Sequence, residues 1–505
     1  MPRALFRCDA SPEIGAGHVT RCLALAETLA ETGWRVAFAV SPSTAAMMPA
    51  IAAGGFSAHE LAGAAENEPA LLRGYYPDGI ALLVVDHYQR DIHFEEACRG
   101  WARQILVMDD ATGRRHDCDF LVDAAASDGS VYKGGIPAQA HLLLGPDYAL
   151  MRRAFIARRA EALRRRDGRA VENILVSFGA TDPRNVTSVA LDVLDDFADD
   201  FSITVALSSR APRLDEIHRR LRGRMQLALD ADMPALMTQA DLAIGAAGAS
   251  SYERAVLGLP SIVVTLADNQ AGFAKVLSAA GAAIDAGQID EILPSRLGSI
   301  ARKLIADPPG RIRMTQAAGA LLDGRGWQRL LIDLAGEART RDGSSVSLRL
   351  AERRDEQWLL SLQRAPQTRR YARNPSVPTV EEHACWMART LADQNVFLLL
   401  IETDGERVGS LRLDRLDSDN PSFEISIAVC PTHHGRGVGS GALSLARRLQ
   451  PAAVFEAEIS PGNTASQKLF ERADFRKVGA TRYRELPDHT QLAEDRRSPA
   501  QLRSG

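Results

Sequence analysis

The sequence predicts an α/β protein with two Rossmann-like domains, followed by a smaller α+β domain. Through the first two-thirds of the chain, short apolar strands alternate with amphipathic helices, which is typical of parallel βαβ units. The alternation begins again at residue 173, with NILVSFGATDP, so we expect a second parallel sheet there. After a polar stretch at residues 336–347 the order changes, and two helices come before a meander of three strands.

The chain has 505 residues, enough for about three domains. We place the first domain at residues 1–155, the second at 156–335 and the third at 345–490, with a polar tail at 491–505. The two α/β domains are joined by a basic run, AFIARRAEALRRRDGRAVE, which we expect to form a solvated connecting helix.

Composition excludes several classes of protein. Hydrophobic residues make up 46% and charged residues 25% of the chain, which is typical of globular proteins. With 60 basic and 64 acidic residues, the net charge of −4 gives no indication of a nucleic-acid partner. The apolar stretches are too short for a membrane span, and the first residues have no signal-peptide pattern. The six cysteines have no metal-binding spacing, so we expect free thiols and a cytoplasmic protein.

A first glycine loop follows the first strand. Gly15 and Gly17 allow the backbone to approach a ligand closely, and the helix that follows presents free N–H groups to an anion. His18 lies in the first turn, where the positive helix end favours the neutral imidazole that a general base requires. A packed or capping histidine is the alternative. Asp86 and His87, at the end of a buried strand, form a second catalytic candidate.

A pair of adjacent acids, Asp109 and Asp110, ends another strand. Two neighbouring carboxylates can indicate a metal site, but adjacent strand residues point to opposite faces. We therefore expect no metal there.

The second glycine loop carries the densest group of polar residues. Gly245, Gly248 and Ser250 lie between a strand and a helix, where backbone amides and hydroxyls can hold a diphosphate. Glu253, in that helix, can accept hydrogen bonds from ribose hydroxyls, although it can also be a capping-box acid. The next strand ends at residues 268–270 (DNQ), which suit sugar hydroxyls and acetamides.

Together these segments resemble the UDP-sugar hydrolases of pseudaminic acid biosynthesis, within the two-lobed GT-B enzymes of the MurG type. The resemblance covers residues 1 to about 335 and rests on IGAGHVTRCLALA, VVDHY, LLGPDYALMR, SFGATDP, GASSYERAVLGLPSIVV and ADNQ. It implies that water attacks the anomeric carbon of UDP-2,4-diacetamido-2,4,6-trideoxy-β-L-altropyranose and that UDP leaves, with inversion and without a metal.

The resemblance also implies roles for individual residues. His18 is the expected catalytic base, Glu253 holds ribose, and Asn269 and Gln270 face the sugar. The chain departs from the family at Ala180, where a second glycine often follows the first. The implied UDP and substrate contacts are Gly15, Gly17, Arg21, Gly179, Gly245, Gly248, Ser250, Ser251, Glu253, Asn269 and Gln270.

A third glycine loop, HGRGVG at residues 434–439, lies between a strand and a helix of the last domain. It resembles motif A of the GNAT acetyltransferases, with His434 where that motif has Gln or Arg, and residues 460–479 resemble motif B. The resemblance implies acetyl-CoA as co-substrate. The implied contacts are Ile427, Val429, His434, Gly435, Arg436, Gly437, Val438, Gly439, Ser440, Asn463 and Ser466.

Such an enzyme needs a base for the amine and an acid for the thiolate. Glu424 is placed to act as the base through water. Many relatives have a tyrosine as acid where this chain has Phe470, so Tyr483 is the remaining candidate. Residues 361–386 also resemble the N-acetyltransferase that acts one step earlier, on the 4-amine of a UDP-4-amino-4,6-dideoxy-L-altrose derivative.

The leading hypothesis is a bifunctional enzyme that acetylates a UDP-amino sugar and hydrolyses the product. Its partners are small molecules, UDP-sugars and acetyl-CoA, and the sequence leaves the oligomeric state open. Three alternatives remain: a GT-B glycosyltransferase with an acceptor other than water, a hydrolase of the legionaminic type, and a GNAT domain that binds acetyl-CoA only to regulate the hydrolase.

Overall fold

The structure is a computed structural model that describes residues 1–11, 15–111, 113–126, 128–290, 294–417 and 420–485. The expected polar tail, 491–505, and the last residues of the third expected domain lie outside this description. The chain forms two compact units. One comprises the described residues of Pro2–Thr28 and Val36–Trp327, and the other comprises Met1, Leu29–Arg35 and the described residues from Gln328 onward.

The first sheet has seven strands in the order β3-β2-β1-β4-β5-β6-β7. Its strands are β1 (Arg3–Cys8), β2 (Arg35–Val40), β3 (Ser57–Glu60), β4 (Ile80–Asp86), β5 (Ala102–Met108), β6 (Phe120–Asp123) and β7 (His141–Leu144). The helices along this stretch are α1 (Gly17–Glu31), α2 (Pro42–Met47), α3 (Ala50–Ala53), α4 (Glu68–Tyr75) and α5 (Ile92–Cys98). Strand order reverses between β1 and β4, where doubly wound sheets bind ligands beyond the carboxyl ends of the strands.

The second sheet has six strands in the order β10-β9-β8-β11-β12-β13, and its registered pairs are parallel. Its strands are β8 (Asn173–Ser177), β9 (Ser202–Leu207), β10 (Met225–Leu229), β11 (Leu242–Ala246), β12 (Ser261–Thr265) and β13 (Ile284–Gln288). Here the order reverses between β8 and β11. The helices along this stretch of the chain are α6 (Arg153–Arg165), α7 (Val186–Leu194), α8 (Leu214–Arg220), α9 (Met233–Gln239), α10 (Ala249–Val256), α11 (Ala271–Ala279), α12 (Pro294–Ile305), α13 (Pro308–Leu321) and α14 (Gly326–Ala335).

Both faces of the second sheet are buried, because helices cover each of them. Val176 and Ile244 belong to one apolar core, and their neighbours Leu175 and Ala243 belong to another. This explains why the strands read as continuous apolar runs rather than as an alternating pattern.

The basic run between the two sheets is helical, as expected, and it is solvated on one face, while its other face is buried. Phe155 is fully buried, and two arginines of the run bind carbonyl groups at the ends of other helices. Arg159 donates to the carbonyl of Gly319 at 2.7 Å, and Arg166 donates to that of Met237 at 2.6 Å. The last carbonyls of a helix lack partners within it, so these arginines complete α13 and α9.

The last part of the chain forms a mixed sheet of eight strands in the order β14-β15-β16-β17-β18-β19-β21-β20. Its strands are β14 (Ala338–Arg339), β15 (Ser345–Leu350), β16 (Val396–Thr403), β17 (Glu406–Arg415), β18 (Ser422–Val429), β19 (Val454–Glu458), β20 (Phe475–Lys477) and β21 (Arg482–Glu485). Its helices are α15 (Glu356–Arg364), α16 (Pro366–Arg369), α17 (Val380–Ala392), α18 (Val438–Leu449) and α19 (Thr464–Arg472). The antiparallel meander β16-β17-β18 confirms the predicted order.

Strands β18 and β19 are parallel neighbours over a short distance only. They pair at Ser422–Glu424 and Val454–Glu456, and β18 then continues to Val429. The two strands therefore diverge and leave an opening within the sheet. In the described part of the chain, no helix is long and apolar enough to cross a membrane.

Candidate active sites

His18 is held against a buried carboxylate at the first glycine loop. It lies in the first turn of α1, is 6% exposed, and hydrogen-bonds through Nδ1 to Asp86, the last residue of β4. Arg21, one turn further along α1, donates to the same carboxylate at 2.5 and 2.6 Å. Burial acts to raise the pKa of Asp86, but the charge of Arg21 and the hydrogen bonds from Arg21 and His18 outweigh it and hold this pKa well below its usual range.

This arrangement selects a tautomer of His18. An ionised Asp86 accepts a hydrogen bond from Nδ1–H, so the lone pair of the neutral ring lies on Nε2. Among the described residues, Nε2 has no hydrogen-bond partner. His18 is therefore prepared to accept a proton from a bound molecule.

Tyr88 and Asp110 extend this cluster, although the sequence analysis gave neither a role. The Tyr88 ring meets that of His18 edge to face, with 4.5 Å between centroids. Its hydroxyl donates to Asp110 at 2.7 Å and accepts from Asn269 Nδ2 at 3.0 Å. Arg21 also bonds Asp110, at 2.9 Å. The cluster thus connects His18 with the loop after β12. Arg21 donates hydrogen bonds to two carboxylates of the protein, Asp86 and Asp110.

His87 lies in a different network from Asp86. Its Nδ1 accepts a hydrogen bond from the backbone N–H of Gln89, and its Nε2 donates to Asp9, each at 3.0 Å. Burial lowers the pKa of His87, and Asp9 only partly offsets this. Because both ring nitrogens have partners, the structure gives no support to catalysis by His87.

Asp109, the first residue after β5, has different partners from Asp110. It accepts hydrogen bonds from Arg114 and His116, each at 3.1 Å. His116 also bonds Glu95, at 2.8 Å. Burial acts to lower the pKa of His116, but hydrogen bonds to Asp109 and Glu95 and their negative charge raise it to about 9.

This shift predicts a pH-dependent stability. The folded-state pKa of His116 lies above its ordinary value of 6.5, so its contribution is complete below pH 6.5 and is lost as pH rises through about 9. We expect the melting temperature to fall over this range, and to fall less in a His116→Gln variant. Thermal scans from pH 6 to 10 measure this, and parallel curves for the two proteins would contradict it.

Three glycines border open space. A Cβ atom added at Gly15, Gly17 or Gly179 would meet no heavy atom of the described residues within 4 Å. Packing therefore does not require glycine at these positions, and a ligand has room beside each of them. Gly15 and Gly179 adopt positive φ angles of 76° and 98°, which glycine tolerates best.

At the second glycine loop, Gly245 is required by a close approach of two strands. A Cβ atom there would lie 2.3 Å from the carbonyl oxygen of Ser177. Gly248 is the N-cap of α10 and lies beside the amide of Gln270, whose Oε1 accepts from the Leu266 backbone. The Ser251 hydroxyl donates to the Gly248 carbonyl at 2.6 Å and is occupied within the helix.

Glu253 is a mostly buried carboxylate beside this loop. It is the fifth residue of α10, so it cannot form a capping box with Gly248. Its side chain is 15% exposed and lies 3.3 Å from Arg152. Burial raises the pKa of Glu253, and Arg152 only partly offsets this. Further hydrogen-bond donors, such as ribose hydroxyls, would stabilise its ionised form.

The opening between β18 and β19 forms a cavity of about 1340 Å³. All of the expected acetyl-CoA contacts except Arg436 line it. Arg436 pairs instead with Asp342 at 2.9 Å. Gly435 and Gly437 have positive φ angles of 78° and 98°, and Gly437 is the N-cap of α18. The loop therefore presents its backbone to the cavity.

Glu424 also lines this cavity and pairs with Arg373. Tyr483 lies on β21 and is buried, and the residues that line the cavity do not include it. The structure therefore gives no support to Tyr483 as the acid. Tyr371 does line the cavity, close to Gly462, and the sequence analysis missed it because motif B does not extend to this segment.

Two protein-family models match the chain. The C-terminal domain of glycosyltransferase family 28 matches residues 174–323, and the acetyltransferase (GNAT) domain matches residues 345–476. The chain thus combines a GT-B-type nucleotide-sugar domain with a domain of the GNAT acetyltransferase type, which supports binding of acetyl-CoA. Both expected fold classes are confirmed.

The chain is also similar to individual proteins. Spore coat polysaccharide biosynthesis protein SpsG of Bacillus subtilis is 32% identical over 188 residues, which are 36% of this chain and about half (54%) of that protein. The UDP-2,4-diacetamido-2,4,6-trideoxy-beta-L-altropyranose hydrolase of Campylobacter jejuni is 27% identical over 284 residues, 55% of this chain and 97% of that protein. Uncharacterized protein MJ1062 of Methanocaldococcus jannaschii is 23% identical over 497 residues, 93% of this chain and 96% of that protein.

Proposed function

We propose that the chain is a bifunctional enzyme. Its two Rossmann-like domains hydrolyse a UDP-linked diacetamido sugar to free sugar and UDP, and its GNAT domain first acetylates the amine of the preceding UDP-4-amino sugar. The observation that carries the hydrolase proposal is the His18–Asp86 pair, in which one ring nitrogen is fixed and the other has no partner among the described residues.

In this proposal Asp86 orients the ring, and His18 Nε2 takes a proton from water. The oxygen of that water bonds to the anomeric carbon while the bond from this carbon to the UDP oxygen breaks, so the configuration inverts. The leaving diphosphate lies at the N-termini of α1 and α10, whose amides stabilise its charge. The helix ends supply positive charge there, so the proposal requires no metal.

The proposed substrate follows from the relative in Campylobacter jejuni, which matches almost along its whole length. UDP-2,4-diacetamido-2,4,6-trideoxy-β-L-altropyranose is therefore the first compound to test. Release of UDP without any acceptor would distinguish a hydrolase from a glycosyltransferase. Hydrolysis of a differently configured diacetamido sugar would favour the legionaminic type.

For the acetyltransferase, Glu424 would accept the amine proton through a water molecule. The amine nitrogen then bonds to the acetyl carbon, the thioester bond breaks, and the CoA thiolate takes up a proton. The cavity between β18 and β19 and the loop at Gly435–Ser440 support this role. A purely regulatory domain would bind acetyl-CoA without consuming it.

One experiment tests both activities and their order. The full chain is incubated with acetyl-CoA and a UDP-4-amino-4,6-dideoxy-N-acetyl-L-altrosamine, and the masses are followed over time. We expect a transient diacetylated UDP-sugar, followed by free sugar and UDP. An unacetylated amine would contradict the transferase proposal. A persistent diacetylated UDP-sugar would contradict the hydrolase proposal.

Glu253 allows a test of nucleotide binding. The Glu253→Gln variant should bind UDP less tightly by about 1–3 kcal/mol, because the charged acceptor for the ribose hydroxyls is lost. Titration calorimetry with UDP and with 2′-deoxy-UDP measures this, and the loss should be smaller for the deoxy compound. Asp215→Asn, at an exposed acid on α8, is the control. An unchanged UDP titration would remove Glu253 from the nucleotide site.

A further inference from the structure

Arg254 is a buried cation beneath the second glycine loop. It lies near the C-terminal end of α10, but its side chain runs back towards the helix start, and Nη2 donates at 2.6 Å to the carbonyl of Ala246, the last residue of β11. Nη1 lies 3.5 Å from the Ser250 hydroxyl. The residue is 0% exposed, and its Nη1 lies 2.9 Å from where a Cβ of Gly245 would be. The guanidinium thus lies directly under the loop.

This charge has no paired carboxylate among the described residues. The neighbouring carboxylate, Glu253, is bonded to Arg152, and the buried Nε of Arg254 has no hydrogen-bond partner in the described part of the chain. Burial lowers the pKa of Arg254 to about 10, with Glu253 acting against this, so the side chain remains charged at neutral pH. A buried and unpaired charge is unfavourable in the empty protein.

The position of the Arg254 charge is a second unfavourable feature of the empty protein. The N-terminus of a helix is its positive end, so cations are favourable at the other end. The backbone of Arg254 lies near the C-terminal end of α10, but its charged group lies near the N-terminal end, where a cation is unfavourable. An anion bound at the start of α10 would pair with the buried charge of Arg254 and would also offset its repulsion from the positive end of the helix.

We infer that Arg254 is a positioning residue whose buried charge, acting through Ser250 and the first amides of α10, holds the diphosphate of a nucleoside diphosphate. The inference rests on the proposed function, which places UDP at this loop. Uridine lacks the phosphates that UDP carries. Removing the charge of Arg254 should therefore weaken the binding of UDP and leave the binding of uridine unchanged.

The test compares UDP with uridine, by titration calorimetry on the full chain. In Arg254→Met we expect UDP affinity to fall about 10- to 100-fold, the range for hydrogen bonds to charged groups, and uridine affinity to stay within about twofold. Arg254→Lys keeps the charge and should keep most of the preference for UDP. Arg311→Met is the matched control, because Arg311 is also buried and bonded to backbone carbonyls but belongs to α13.

Each outcome decides a different point. Equal losses for UDP and uridine in Arg254→Met would show a merely structural role and overturn the inference, as would an unchanged UDP affinity. If Arg254→Met does not fold, Arg254→Gln and Arg254→Lys decide, since only the lysine variant should keep the preference. A wild-type protein that binds UDP no better than uridine would overturn the proposed nucleotide site itself.

Discussion

The His18→Gln variant is expected to hydrolyse the UDP-sugar about 10²–10⁴-fold more slowly than the wild type, the range for loss of a general base. Glutamine can keep a hydrogen bond to Asp86, but it cannot accept a proton from water at neutral pH. UDP affinity should change little, because the nucleotide contacts of the second sheet remain. Single-turnover rates and UDP titrations measure the two effects separately.

The control for this variant is His93→Gln, at a highly exposed histidine on α5. It should turn over at the wild-type rate. An Asp86→Asn variant should also be slowed, because the amide no longer fixes the tautomer of His18 or balances Arg21. Near-normal hydrolysis by His18→Gln would remove His18 from the mechanism.

The Gly437→Trp variant is expected to lose acetyltransfer by at least about 100-fold, which corresponds to about 2.7 kcal/mol of binding or barrier. The glycine has a φ of +98°, and a Cβ there would already lie 3.2 Å from the backbone nitrogen of Arg341. An indole at this position would fill the loop that faces the cavity. The measurement is release of CoA from acetyl-CoA in the presence of the UDP-amino sugar.

Hydrolysis of a pre-acetylated UDP-sugar by Gly437→Trp should stay within about twofold of the wild type if the two activities are independent. Val478→Trp, which adds an indole at a residue 56% exposed, should keep both activities. Loss of hydrolysis in Gly437→Trp would show that the activities depend on each other. Normal acetyltransfer would place the co-substrate elsewhere.

The fold could be predicted because its strands are short apolar runs that end in polar residues. β4 and β5 were predicted from the apolar runs LLVVD and LVMD, and the meander from β16 to β18 was predicted from its turn residues. The bonding between His18 and Asp86 could not be predicted in the same way. They are 68 residues apart and meet because β4 lies beside β1, with Asp86 registered opposite Cys8.

The contact of Tyr88 with His18 could have been predicted from the sequence. β4 ends at Asp86, but if its alternation continued past the strand end, Asp86 and Tyr88 would lie on one side and His87 on the other. The structure agrees, since Tyr88 contacts His18 and His87 contacts Asp9. The contacts of Arg159 and Arg166 could not be predicted, because their partners are backbone carbonyls of distant helices, which no side-chain pattern records.

The approach between Gly245 and Ser177 is a contact of backbone with backbone. The distance of the second glycine loop from β8 is therefore set by the main chain and not by the shapes of neighbouring side chains. Over evolutionary time, most core residues around the loop can be exchanged for others of similar volume without moving it. The glycine itself has no such freedom, so the position of the loop can persist while the residues around it change.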